Sequence, residues 1–305
     1  MSEHTLDGTL IHHDWDASRE PVLSIASGDV VHFDLQMAGE RQVEETSRIE
    51  DVVWDFDTIY NLAGPIFVEG AQPGHTLEVE ILRLEAGPWG WTAFIPGAGL
   101  LPDDFPDPFL KIYDLRGRST AIVAPGVEVP IDPFLGTMGV PPDEPGSLNP
   151  FPPHKGGGNM DCRHLVTGST LWLPIWCEGA LFSCGDPHAA QGDGEVCVSA
   201  IECRMQATLR FSLRERSIPG PSFRVPEPRA TPGPQHGTMG IDADLMSASR
   251  TAVRNMIAWR VDERGMTRED AYVLCSIAGD LKIHEIVDAG VWNVGMTMPL
   301  AVFVS

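Results

Sequence analysis

The chain has 305 residues and is 43% hydrophobic, which is enough to bury a core in one large or two ordinary domains and too apolar for a disordered protein. Lys+Arg number 21 against 43 Asp+Glu, and the resulting charge of −22 repels phosphate backbones and anionic lipid. This argues against nucleic acid and membrane partners, and it suits a neutral small molecule better than an anionic substrate.

Met1-Ser2-Glu3-His4-Thr5 shows no basic segment leading into an apolar run, and no later stretch is apolar enough to span a bilayer, so a cytoplasmic protein is expected. Frequent Gly (31) and Pro (26) punctuate short runs of alternating polarity, the pattern of many short strands. In chain order these are Val30 to Leu35, His75 to Leu82, Gly168 to Trp176, Val196 to Cys203 and Ala207 to Leu213. In the second, Leu77, Val79 and Ile81 face one side and Glu78 and Glu80 the other. Residues 85 to 160 are rich in loops, with Phe105-Pro106-Asp107-Pro108 and Val140 to Pro153 too Pro-dense for regular structure. A Pro-rich linker is expected over 218–238. Beyond it Leu245, Met246, Ala252, Val253, Met256 and Ile257 follow helical spacing, with Asp242 as N-cap and Gly265 past the end. Thr267-Arg268-Glu269-Asp270 resembles a capping box opening a second helix through about Ala278, and Leu281 to Val287 reads as a strand. The expected fold is α+β but mostly β. A β-rich sandwich or barrel over 1–217 carries the functional site, and a small α+β unit covers 239–305. Five of the six cysteines lie between Cys162 and Cys203 on apolar segments without a C-x-x-C pair, which predicts buried free thiols.

The densest polar cluster is Gly185-Asp186-Pro187-His188-Ala189-Ala190-Gln191-Gly192-Asp193-Gly194-Glu195, set between apolar runs. Its imidazole and carboxylates form a ligand set suited to zinc or a similar ion, and its glycines allow close backbone approach; the competing reading is an acidic surface hairpin. In His154 to Asp161, Asn159 and Asp161 would share a face if they begin a strand, although a plain glycine turn explains that segment equally well. Glu69 follows Ile66-Phe67-Val68, would be half-buried, and is either an acid/base group or one half of a structural ion pair. His12, His13, Trp15, His32, His75, Met138 and Trp172 read as surface or packing residues. There is no G-x-S-x-G elbow, no H-E-x-x-H and no phosphate-binding loop.

The run from Gly157 to Ile201 closely resembles the acetamidase/formamidase family, as do Gly64 to Ala71, Gly136 to Val140, Trp15 to Val31 and Asp270 to Ser276. The resemblance covers nearly the whole chain. It implies a jelly-roll-like fold with a smaller α/β part, hydrolysis of short linear amides, a homo-oligomer, and a divalent metal, expected to be zinc. His75 after Pro73-Gly74, Pro187, and the loops Leu100 to Asp107 and Pro141 to Pro153 depart from the family pattern and bear on which amide is taken.

On spacing and resemblance together, Asp161, Asp186 and His188 are expected as metal ligands and Glu195 as general base, with Glu69 as second choice. Asn159 is expected to hold the carbonyl oxygen. Competing readings are a metal-dependent hydrolase of a larger or cyclic amide, and a β-sandwich that binds a small ligand without turning it over. Cys162 is the nearest rival nucleophile and is expected to face away from Asn159 and Asp161 on a strand.

Overall fold

A computed structural model describes residues 1–124, 127–226, 233–266, 268, 271, 275, 279–288, 290–300 and 303. The first part of the chain forms β1 (Glu3–Leu6), β2 (Ile11–His12), β3 (Leu23–Ile25), β4 (Val30–Leu35), β5 (Leu62–Val68) and β6 (Thr76–Phe94). Next come β7 (Phe109–Asp114), β8 (Thr120–Ala124), β9 (Val127–Pro130), β10 (Phe134–Gly139), β11 (Gly157–Asn159) and β12 (Thr170–Pro174). The last part supplies β13 (Phe182–His188), β14 (Glu202–Arg214), β15 (Ser222–Val225), β16 (Gln235–Asp242), α1 (Leu245–Arg264), β17 (Asp280–Glu285) and β18 (Trp292–Pro299).

The protein is thus mostly β, as its alternating segments require. Its main sheet runs β11-β10-β13-β14-β6-β12-β15-β16-β18-β17, with β5 branching from β13 and β4 from β14. Pairing is antiparallel except for β1 with β4 and β3 with β5. The long β6–β14 ribbon is the spine. Leu77, Val79 and Ile81 are buried against Leu209 and Phe211, while Glu78 and Glu80 reach outward to Arg214 and Arg210.

Several expectations are corrected. Residues 85 to 160 are rich in loops but also carry strands that were not expected, because β6 continues to Phe94 and pairs with β7 from Trp89↔Asp114 to Phe94↔Phe109, and β8 to β11 follow. The segment expected as a linker carries β15 and the first residues of β16, both in the main sheet. Val196 to Ile201 is not a strand. Its backbone is held by the Ser199 hydroxyl, which accepts from Ala93 N (2.9 Å) and donates to Ala93 O (2.6 Å), and the ladder resumes at Glu202. The N-cap of α1 is Asp244, whose carboxylate accepts from Ser247 N at 2.8 Å; Gly265 closes the helix in the left-handed conformation expected of it. Most of the second expected helix lies outside the described residues; Arg268, Ala271 and Cys275 within it are helical.

The largest apolar core lies under β4, β6, β13 and β14. A separate core packs α1 against β16 and β18 through Ala248, Ala252, Met256, Val294 and Met296. Gly240 is what lets α1 approach so closely, since a Cβ there would meet Ala248 O at 2.0 Å. Among the described residues, no helix is long and apolar enough to cross a membrane.

Candidate metal and acid–base centre

β13 lies between β10 and β14, and its last residues carry Asp186 and His188 into the interior. His188 pairs across the ladder with Glu202, the first residue of β14. β10 brings Gly136 alongside. The chain leaves β11 after Asn159 and turns sharply, with Met160 N and Asp161 N both donating to Gly136 O, and this delivers Asp161. The loop after β13 supplies Glu195, and the turn after β17 supplies Asp288.

These six side chains are all buried. Their ligand atoms form three overlapping groups, each within 4.8 Å: Asp161 with Asp186 and His188, His188 with Glu195 and Glu202, and Asp161 with Glu195 and Asp288. His188 Nε2 lies 3.1 Å from Glu202 Oε2 and 3.3 Å from Asp186 Oδ1, and Nδ1 lies 3.7 Å from Asp161 Oδ1. Asp161, Asp186 and Glu195 all adopt positive φ, at 46°, 52° and 46°. Such backbone strain in non-glycine residues gathers at functional sites.

Gln191 fixes the imidazole. Its Nε2 donates to Asp161 O at 2.9 Å, so its Oε1 must face His188 Nδ1, also at 2.9 Å. Nδ1 therefore carries the proton on that side, and Nε2 faces Asp186 and Glu202. Burial pushes His188 toward the neutral form, but the charges of Glu202 and Asp186 reverse this and hold its pKa well above the ordinary value. Burial, then neighbouring acids, push Asp161, Glu195 and Asp288 well up from the usual carboxylate range. Five carboxylates this close cannot all ionise without a cation or shared protons.

The fit to a cation is testable on these atoms. Among the described residues, both oxygens of Asp161, Asp186 Oδ2, His188 Nε2 and Glu202 Oε2 are buried without a well-aligned hydrogen bond, although Nε2 and Glu202 Oε2 stand 3.1 Å apart. Buried acceptors gathered this closely without well-aligned donors are what a bound cation satisfies. Gly136 leaves the space, since a Cβ there would stand 2.6 Å from both Asp161 Oδ1 and Asp186 Oδ2. Oxygen-rich ligation with one imidazole suits zinc or a harder divalent ion.

The expected residues fall unevenly. Asp161, Asp186, His188 and Glu195 come together. Asn159 adjoins them, but its amide is already committed. Its Oδ1 accepts from Thr137 at 2.6 Å, and its Nδ2 contacts Tyr60 OH (3.2 Å), Phe151 O (3.1 Å) and Asp288. Its amide thus meets Tyr60 and Asp288 directly. It also shares no strand face with Asp161, because β11 ends before that residue. Glu69 is exposed beyond the last inward residue of β5, Val68, and is not brought to the centre. Cys162 lies in the turn rather than on a strand; it is fully buried, and burial pushes its thiol pKa up, which disfavours the thiolate. Sequence reading missed Glu202, Asp288, Tyr60 and Gln191.

A cavity of about 60 Å3 opens onto Asp186, Glu195 and Glu202, walled by Trp54, Tyr60, Trp91 and Phe151. A second, of about 410 Å3, lies across the 195–201 loop and shares Glu195 and Ser199 with the first.

The sequence model of the Acetamidase/Formamidase family matches residues 2–147 and 146–305. An acetamidase of Mycolicibacterium smegmatis is 27% identical, with 61% of this chain and 61% of that protein covered. A formamidase of Methylophilus methylotrophus is 25% identical over 61% of this chain and 59% of its own length. The chain thus spans about three fifths of these relatives. The crystal structure of an acetamidase from Bacillus halodurans superposes with a TM-score of 0.90 at 28% identity, covering 98% of both chains.

Proposed function

Because the chain belongs to the acetamidase/formamidase family, we propose that it hydrolyses a short linear amide to a carboxylate and ammonia at the buried acid cluster, with a divalent cation held by Asp161, Asp186 and His188. The observation that carries this reading is the set of buried oxygens and the imidazole nitrogen gathered beside Gly136 at the foot of a small aromatic cavity. The cation, when bound, supplies Lewis acidity toward the amide carbonyl and the attacking water.

The chain's own residues do the rest. Glu195 lines the cavity and takes the proton from the water, then passes it to the leaving nitrogen. Tyr60 stays protonated because burial, then Asp288 and Asp186, push its pKa far up; its hydroxyl accepts from Asn159 and keeps its own proton to donate to the carbonyl oxygen. Tyr60 thus takes the role expected of Asn159, whose amide meets Tyr60 and Asp288. Trp54, Trp91 and Phe151 exclude water and admit a small neutral acyl group. The six cysteines are free, in keeping with a reducing cytoplasm, and assembly into a homo-oligomer is part of the same reading.

Ammonia release from a panel of amides, with metal content measured on the same samples, tests this. His188→Ala and Asp161→Ala should lose metal and turnover together, and Glu195→Gln should keep metal and lose turnover by 100-fold or more, roughly the share of acid–base catalysis. Cys162→Ser should stay active. A fully active His188→Ala protein that retains its metal would sink the assignment, and a Glu195→Gln protein without metal would make Glu195 a ligand.

A further inference from the structure

A second polar assembly lies where β12, β15 and β16 meet α1, and it shares no residue with the cavities flanking Glu195. There Arg214, Arg216, Arg224, Trp172, His236 and Trp259 line a cavity of about 280 Å3. In a chain with 21 basic and 43 acidic side chains, three arginines around one hollow run against the prevailing charge. The guanidinium groups of Arg214 and Arg224 both lie 5.9 Å from the Trp172 ring, so two like charges share one indole. Glu78 pairs with Arg214 and Glu263 with Arg216. Arg224 has no carboxylate within 4.0 Å among the described residues, and its hydrogen bond is a long one, 3.4 Å to Thr170 Oγ1. Beside it, His236 is 4% exposed and stacks on Trp259 at 3.5 Å between ring centroids, and its Nε2 has no hydrogen-bond partner among the described residues. A buried ring nitrogen and a guanidinium that find no partner and no counter-charge among the described residues, lining the same hollow, are complementary to one kind of ligand.

We propose that this cavity binds a small oxyanion, a carboxylate or a phosphate, whose oxygens take the Arg224 fork and His236 Nε2–H while Trp172 forms an apolar wall. The planar guanidinium matches both anions in bidentate fashion. The site is separate from amide hydrolysis and does not depend on that reading.

The test is the melting temperature of the whole protein titrated with phosphate and, separately, with acetate, at ionic strength held constant with chloride. Wild type should show a saturable rise with at least one of the two, and the one saturating at lower concentration identifies the ligand chemistry. Arg224→Gln, at an exposed side chain, should fold normally, keep amide hydrolysis, and need at least ten-fold more anion for the same rise. Equal responses in wild type and variant, or a rise that never saturates, would overturn the proposal. So would an anion-independent change in oligomeric state on Arg224→Gln, which would make the hollow a contact between copies.

Discussion

Gly136 and Gln191 govern the acid cluster without contributing a charge to it. An alanine at 136 would place its Cβ against Asp161 Oδ1, Asp186 Oδ2 and the His188 ring, all within 2.8 Å. Gly136→Ala is therefore expected to abolish metal uptake and turnover while far-UV circular dichroism stays native; retained metal with full activity would show that the cation sits elsewhere. Gln191→Leu removes the acceptor that holds Nδ1–H of His188. Loss of such an orienting partner should weaken metal binding roughly 10- to 100-fold, read by competition with a chelator. An unchanged affinity would mean that His188 is oriented by packing on Phe134 alone, whose ring stands 5.1 Å away at 85°. Asp186, His188 and Glu195 were legible as candidates because they cluster within the glycine-rich run 185–195, and Asp161 because it closes a second glycine-rich run and lies in the family-like segment. Glu202 was not, because it reads as one more polar position in an alternating run. Asp288 and Tyr60 were not, because only tertiary folding brings them near, and no local pattern marks a lone acid after a strand. Glu69 misled because its apolar neighbours promised burial that ends at Val68.

At the scale of elements, strands with clean alternation were read well: Val30 to Leu35 coincides with β4, and Leu77 to Ile81 lies in β6. The 195–201 segment was misread, since Val196-Cys197-Val198 has strand-like composition while its backbone departs from strand geometry, with Val198 at φ 75°. A β-branched residue held there is strained, so the loop must be fixed by its contacts. Ser199 supplies two of them and lines both cavities flanking Glu195. Ser199→Ala should cost about 1–3 kcal/mol for the lost bonds and the buried groups left without partners. It should also lower kcat/KM through misplacement of Glu195, with metal content unchanged. Steady-state kinetics beside a urea titration would separate the two effects, and normal kinetics in a destabilised protein would make the loop merely structural.

Across the whole molecule, histidines that burial holds neutral set a pH limit, His12 and His154 among them. Burial above all pushes His12 and His154 down to about 4. Between about pH 6.5 and 4 the unfolded chain binds protons at these rings that the native protein refuses, so stability falls as the pH falls through that window. Each ring can contribute up to about 3 kcal/mol. His12 is bonded to Ser183 Oγ at 2.8 Å and Asp14 O at 2.7 Å, and His154 packs 5.0 Å from Trp15. Melting temperature should decline from pH 6.5 to 4.5 in wild type and more gently in His154→Gln; parallel curves would remove His154 from the account. The position of Asp288 carries a different consequence, one for the order of events during synthesis. Asp161, Asp186, His188, Glu195 and Glu202 are all translated before Asp288, which lies beyond α1 and β17. Until then the cluster is open on one side, and Asn159 lacks the carboxylate it holds in the finished protein. A nascent chain thus holds all three proposed metal ligands before it holds Asp288, so a ribosome stalled before residue 288 should display a centre that lacks one of its five carboxylates and leaves the Asn159 amide without that partner.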